Sequence, residues 1–165
     1  MTLNPIVHLD LFGGLMVLIA GFGYARPVPV NPRNYLIRNA DFYVASAGPM
    51  MNLMLGLVAS FLHSILLRNN LILLAGVPVL ELLKLFILIN FNLCLFNLIP
   101  LGPLDGNSVF SHFLPSGLKI RFQDWNYRYG SQTLIGLVIL SMLLPGFSAF
   151  SWISSISISM TNGLL

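Results

Sequence analysis

Apolar residues in this chain come in long runs separated by short polar or proline-rich breaks, and run length sets the reading. Residues 42–67 (FYVASAGPMMNLMLGLVASFLHSILL) and 80–98 are each long enough to cross a bilayer as a helix, which takes about 20 residues. The first has a Gly48-Pro49 break near its start, Asn52 one turn beyond it, and a polar close at Arg68, Asn69 and Asn70. Residues 11–25 are apolar but short, and Gly13, Gly14, Gly21 and Gly23 in them permit close backbone approach. Residues 131–145 predict a further short span, and the Ser-rich tail 146–165 an interfacial or spanning piece. Pro27, Pro29 and Pro32 forbid a helix interior across residues 26–41 and predict an extended connector. The pattern therefore predicts an all-α polytopic membrane protein with four apolar segments, forming a single membrane domain over 1–165.

Composition sharpens this. Hydrophobic residues make up 56% of the chain and charged ones 8%, with mean hydropathy +0.85. A soluble domain carries about a quarter charged residues, so there is too little polar surface here to coat a water-facing globule. The net charge of +3 is distributed as a membrane protein would distribute it. Arg26, Arg33 and Arg38 lie in the connector, and Lys119, Arg121 and Arg128 lie in 99–130, two spans away and hence on the same side. The intervening loop has only Arg68. The positive-inside rule then puts the basic loops 26–41 and 99–130 in the cytoplasm. Phe122, Trp125, Tyr127 and Tyr129 interleaved with those cations suit a membrane interface. No basic run has the character of a nucleic-acid surface, so no nucleic-acid partner is expected. Cys94 is the only cysteine, which excludes intrachain disulfides and cysteine-based zinc sites.

Chemistry concentrates at the end of the second long run. Asn97-Leu98-Ile99-Pro100-Leu101-Gly102-Pro103-Leu104-Asp105-Gly106 breaks the helix and presents the only carboxylate between Glu81 and Asp124. Pro-x-Asp-Gly is also good turn chemistry, so from the residues alone Asp105 is either a turn former or a ligand or proton carrier at a helix break. Asn52, Asn90, Asn92 and Asn97 can make interhelical hydrogen bonds. His63 reads as structural, and Glu81 with Lys84 three residues on as a paired or snorkelling couple. His8 and His112 are secondary metal candidates. His112 follows Asp105 by two helical turns, but no third ligand is near in sequence.

Three motifs in order carry a resemblance. Ala47-Gly48-Pro49-x-x-Asn52 resembles the A-G-P-x-x-N helix of the site-2 proteases, the intramembrane zinc metalloproteases. Asn97-x-x-Pro100-x-x-Pro103-Leu104-Asp105-Gly106 resembles their N-x-x-P-x-x-P-L-D-G segment. Asn4-Pro5-x-x-His8-x-Asp10-x-x-Gly13, followed by Gly21 to Pro32, is similar to the stretch between the family's two metal-binding helices. Asn107 stands where the family has Gly or Ser, and Leu11 where it has Pro. The resemblance implies that Asp105 is the third zinc ligand, that Asn52 and Asn97 are polar groups lining the substrate path, and that the partners are the lipid bilayer and a transmembrane-helix substrate.

The same resemblance implies two histidines and a general-base glutamate from an H-E-x-x-H helix upstream of Asn4-Pro5. The sequence contains no H-E-x-x-H, and Glu81 is its only glutamate. No catalytic residue is therefore assigned. Zinc is expected of the complete family member rather than of this chain alone. The chain is expected to resemble the C-terminal part of a protease core, a truncated form inactive as it stands. The competing readings are a non-catalytic pseudoprotease that binds transmembrane helices and a small transporter using Asp105 and Glu81.

Overall fold

The computed structural model describes residues 39–70, 73–74, 77–144 and 148–165. His8, the short apolar segment 11–25 and all but the last three residues of the connector 26–41 lie outside the described residues. Among the described residues the chain is helical, apart from a two-residue antiparallel ladder of β1 (Leu73–Leu74) with β2 (Val77–Pro78).

The two long apolar runs form helices α1 (Ala40–Arg68) and α2 (Val79–Asn97). At about 1.5 Å per residue, the 19 residues of α2 span roughly the thickness of a bilayer's hydrocarbon core, and the 29 of α1 exceed it. Their outward faces carry Met51, Met54, Val58, Phe61, Leu82, Leu85, Ile89 and Leu93, all exposed. A core helix of a soluble protein would bury such a row, whereas here less than a third of each apolar window is covered by protein. The uncovered surface calls for lipid, and the chain is a membrane protein.

The expected break at Gly48-Pro49 does not occur: α1 runs through Pro49 without interruption. Proline removes one backbone donor, and a membrane helix tolerates that where neighbouring elements cover the site. Pro49 and Ala45, one turn back, are both buried. Hydroxyls on α1 turn back onto their own helix: Ser46 donates to the Phe42 carbonyl at 2.7 Å, Ser60 to Gly56 at 2.8 Å and Ser64 to Ser60 at 3.0 Å.

α1 and α2 form the most extensive contact of the fold. Gly56 abuts the Phe91 ring, Ala59 packs with Ile87, and His63 shares a cavity with Leu80 and Lys84. Rising numbers on one helix meet falling numbers on the other, so the pair is antiparallel. The expected interhelical asparagine bonds are not what α2 uses. Asn90 and Asn92 donate to Phe86 and Leu88 of their own helix at 2.8 and 2.9 Å, the nearest acceptors in an apolar setting. Glu81 and Lys84 pair at 3.7 Å on an exposed face.

After the proline-rich loop come α3 (Gly106–His112) and α4 (Ser116–Trp125), then a π-helical turn (Asn126–Gly130) that leads without a gap into α5 (Ser131–Leu143). Much of the stretch expected as a polar loop is thus helix, because no proline interrupts 116–144 and its residues sustain helical geometry. α5 has 13 residues, short of a span by itself. The tail forms α6 (Ser151–Leu164), which buries Ile153, Ser157 and Thr161 at helical spacing and packs on α2.

Candidate metal centre

The site is built where the proline-rich loop meets α1. α2 ends at Asn97, and Leu98 and Ile99 close its last turn onto Cys94 and Phe96. A tight turn follows, with the Leu104 N–H donating to the Leu101 carbonyl at 2.8 Å. Gly106 then passes directly against the backbone of Leu98 and Ile99, where a Cβ would collide. Only glycine lets the start of α3 lie this close to the end of α2. Asp105 sits at the bend between them.

Asp105 occupies the N-cap position of α3, yet its side chain makes no capping bond. Its backbone carbonyl accepts from Ser108 and Val109 at 3.0 and 3.1 Å, so the backbone completes the turn without the carboxylate. The carboxylate instead reaches α1 at Gly48, where an added Cβ would stand 3.0 Å from Oδ2. Gly48 lies eight residues into α1, about 12 Å from its first residue. Burial pushes the Asp105 carboxyl above its usual range, because leaving water penalises the charged form. Two residues on, the Asn107 Oδ1 atom is also buried without a hydrogen-bond partner.

The two motifs of the family resemblance, 57 residues apart from Gly48 to Asp105, therefore meet in space. Asn52 is one turn beyond Gly48 on the same face of α1, and Asn97 is the last residue of α2. Both are half-buried. His112 closes the far end of α3, where its ring lies 4.6 Å from that of Phe42 and 5.4 Å from that of Phe113. His8 lies outside the described residues.

A free, partly desolvated carboxylate fits a cation. It does not make a complete zinc site, since zinc takes three protein ligands and a water in catalytic centres. Among the described residues no three His, Cys, Asp or Glu side chains gather closely enough to hold a metal ion.

The profile of Peptidase family M50 matches residues 72–137, which include α2, the proline-rich loop, α3, α4 and the π turn. A Bacillus subtilis (strain 168) protein named "Putative zinc metalloprotease YwhC" is 40% identical over 124 residues, covering 73% of this chain and 57% of the relative. Both similarities support the site-2 protease family for this chain. It spans little more than half the length of that relative. No solved structure matches it.

Two features of the site were not singled out by motif. The Asn126 side chain, on the π turn, is buried and bonded to the proline-rich loop. Gly130, four residues later, lies directly under Gly102. The available signal was an asparagine and a glycine at one-turn spacing inside an otherwise aromatic and basic stretch, which carries no meaning until its partner loop is known.

Proposed function

We propose that this chain forms the part of an intramembrane zinc metalloendopeptidase that bears the third zinc ligand, and that Asp105 is that ligand. The observation that carries the reading is the state of the Asp105 side chain. It makes no cap bond and no ion pair among the described residues, and it is held against a glycine in partial burial. A carboxylate taken part-way out of water without a donor is unfavourable, and a bound cation relieves that cost. A turn-forming aspartate would spend its oxygens on backbone N–H groups instead.

On this reading, residues 1–165 form a single membrane domain equivalent to the C-terminal part of a protease core. The remaining ligands and the general base come from an H-E-x-x-H helix, which this sequence does not contain. The 165 residues alone are then inactive. When bound, zinc supplies polarisation of the scissile carbonyl and an activated water. This chain contributes the carboxylate, the space that Gly48 leaves for it, and two polar groups. The Asn52 and Asn97 side chains make no hydrogen bond among the described residues and can pair with the backbone of an unwinding transmembrane substrate. The end of the α1–α2 hairpin from which the stretch 99–130 leaves, with its basic residues, faces the cytoplasm.

The test is to extend the chain upstream with a family H-E-x-x-H helix and assay cleavage of a transmembrane reporter in membranes. Cleavage that stops with a zinc chelator and in Asp105→Ala supports the reading. Cross-linking to transmembrane helices without cleavage supports the non-catalytic alternative.

A further inference from the structure

Asp105 is aimed by a loop that has little regular structure of its own, so something must hold that loop. Pro100 and Pro103 have no backbone donor. The Gly102 N–H between them donates across the fold to the Asn126 Oδ1 atom at 2.7 Å. The Asn126 Nδ2 group reaches the Pro100 carbonyl at 3.5 Å and the Phe122 carbonyl of its own helix at 3.4 Å. Asn126 is 2% exposed, so these contacts are shielded from competing water. It sits at the head of the π turn, a distortion that adds a residue to one helical turn and recurs at functional sites. At the foot of that turn Gly130 has no room for a side chain: a Cβ there would stand 2.7 Å from Asn126 Oδ1 and 2.9 Å from the Gly102 backbone.

We propose that Asn126, with Gly130 beneath the same loop, is the positioning residue that holds Asp105 against Gly48, an inference that rests on the reading of Asp105 as the metal ligand. The amide side chain grips the loop at Pro100 and at Gly102, the latter three residues before Asp105. The turn closed by Leu101 and Leu104 carries that fixed point to the carboxylate. The α4–α5 helix thus serves as a brace for the ligand loop, although its residues do not touch the metal position.

Disulfide cross-linking in the full chain tests this. In a Cys94→Ser background, the pair Gly48→Cys with Asp105→Cys reports the loop position. The pair Phe96→Cys with Phe150→Cys, whose native rings lie 5.5 Å apart, reports packing elsewhere through a short bifunctional reagent. Asn126→Leu removes the hydrogen bonds at similar volume, and Gly130→Ala wedges the loop outward while leaving every donor and acceptor in place. Each is expected to slow the 48–105 cross-link about tenfold, the ratio that matches loss of one buried hydrogen bond, and to leave the 96–150 pair unchanged. An unchanged 48–105 rate in both variants overturns the proposal, as does equal loss at both pairs, which would mean general unfolding. No metal enters this assay, so a failure here and a failure of the zinc reading are told apart.

Discussion

The carboxylate of Asp105 rests against Gly48, 57 positions earlier in the chain, with 3.0 Å between its Oδ2 and the place a Cβ would occupy on that glycine. The glycine of one motif is thereby the space for the aspartate of the other. Gly48→Ala is predicted to push the carboxylate away while leaving the helix intact, since alanine is favoured over glycine in a helix by up to about 1 kcal/mol. In the extended protein, zinc retention should fall in Gly48→Ala while the thermal midpoint in detergent holds or rises. A fall in both would mean that Gly48 serves helix packing alone.

The α1–α2 hairpin turns on a second close approach, where Phe91, fully buried, lies across Gly56. A methyl at residue 56 would enter the Phe91 ring. Gly56→Ala should therefore destabilise by about 1–3 kcal/mol, as overpacking does. Phe91→Leu, which frees the space, should make the double variant better than the sum of the two single ones. Denaturation in micelles followed by circular dichroism measures this, and strict additivity would contradict the packing.

The charge distribution makes a topological prediction. Asn69 and Ser116 are exposed at opposite ends of the hairpin. With Cys94 replaced by serine, Asn69→Cys should react with an impermeant thiol reagent added outside intact cells, and Ser116→Cys only after the cells are opened. The reverse pattern would invert the orientation.

The His112 ring lies 4.6 Å from that of Phe42 and is tilted by 32° to it. If ring packing is its role, His112→Phe should leave both the thermal midpoint and the zinc content of the extended protein unchanged. Loss of zinc in that variant would make His112 a ligand.

The hairpin itself was legible because run length alone marks a bilayer-spanning helix, and residues 42–67 and 80–98 match α1 and α2 within two residues at each end. Pro49 misled because a local rule about proline takes no account of the neighbours that cover it. The helical course of 116–130 was hidden by its polarity, which reads equally as loop or as an interfacial helix. Asp105 was legible as a residue of interest from its isolation among apolar neighbours. Its freedom from the cap it could have made was not, because that depends on where Gly48 lies. Asn126 was not legible at all, since its function is defined by partners 24 and 26 residues away.

The most direct test of Asp105 as a zinc ligand is the metal content of the chain extended by an H-E-x-x-H helix, purified in detergent and compared with its Asp105→Asn variant by elemental analysis. Asparagine keeps the shape of the side chain and removes a partly buried charge, so the fold should be as stable or more so. The account predicts about one zinc per chain with Asp105, in keeping with a three-ligand catalytic site, and a large loss in Asp105→Asn with the thermal midpoint maintained. Equal zinc in both proteins would contradict it.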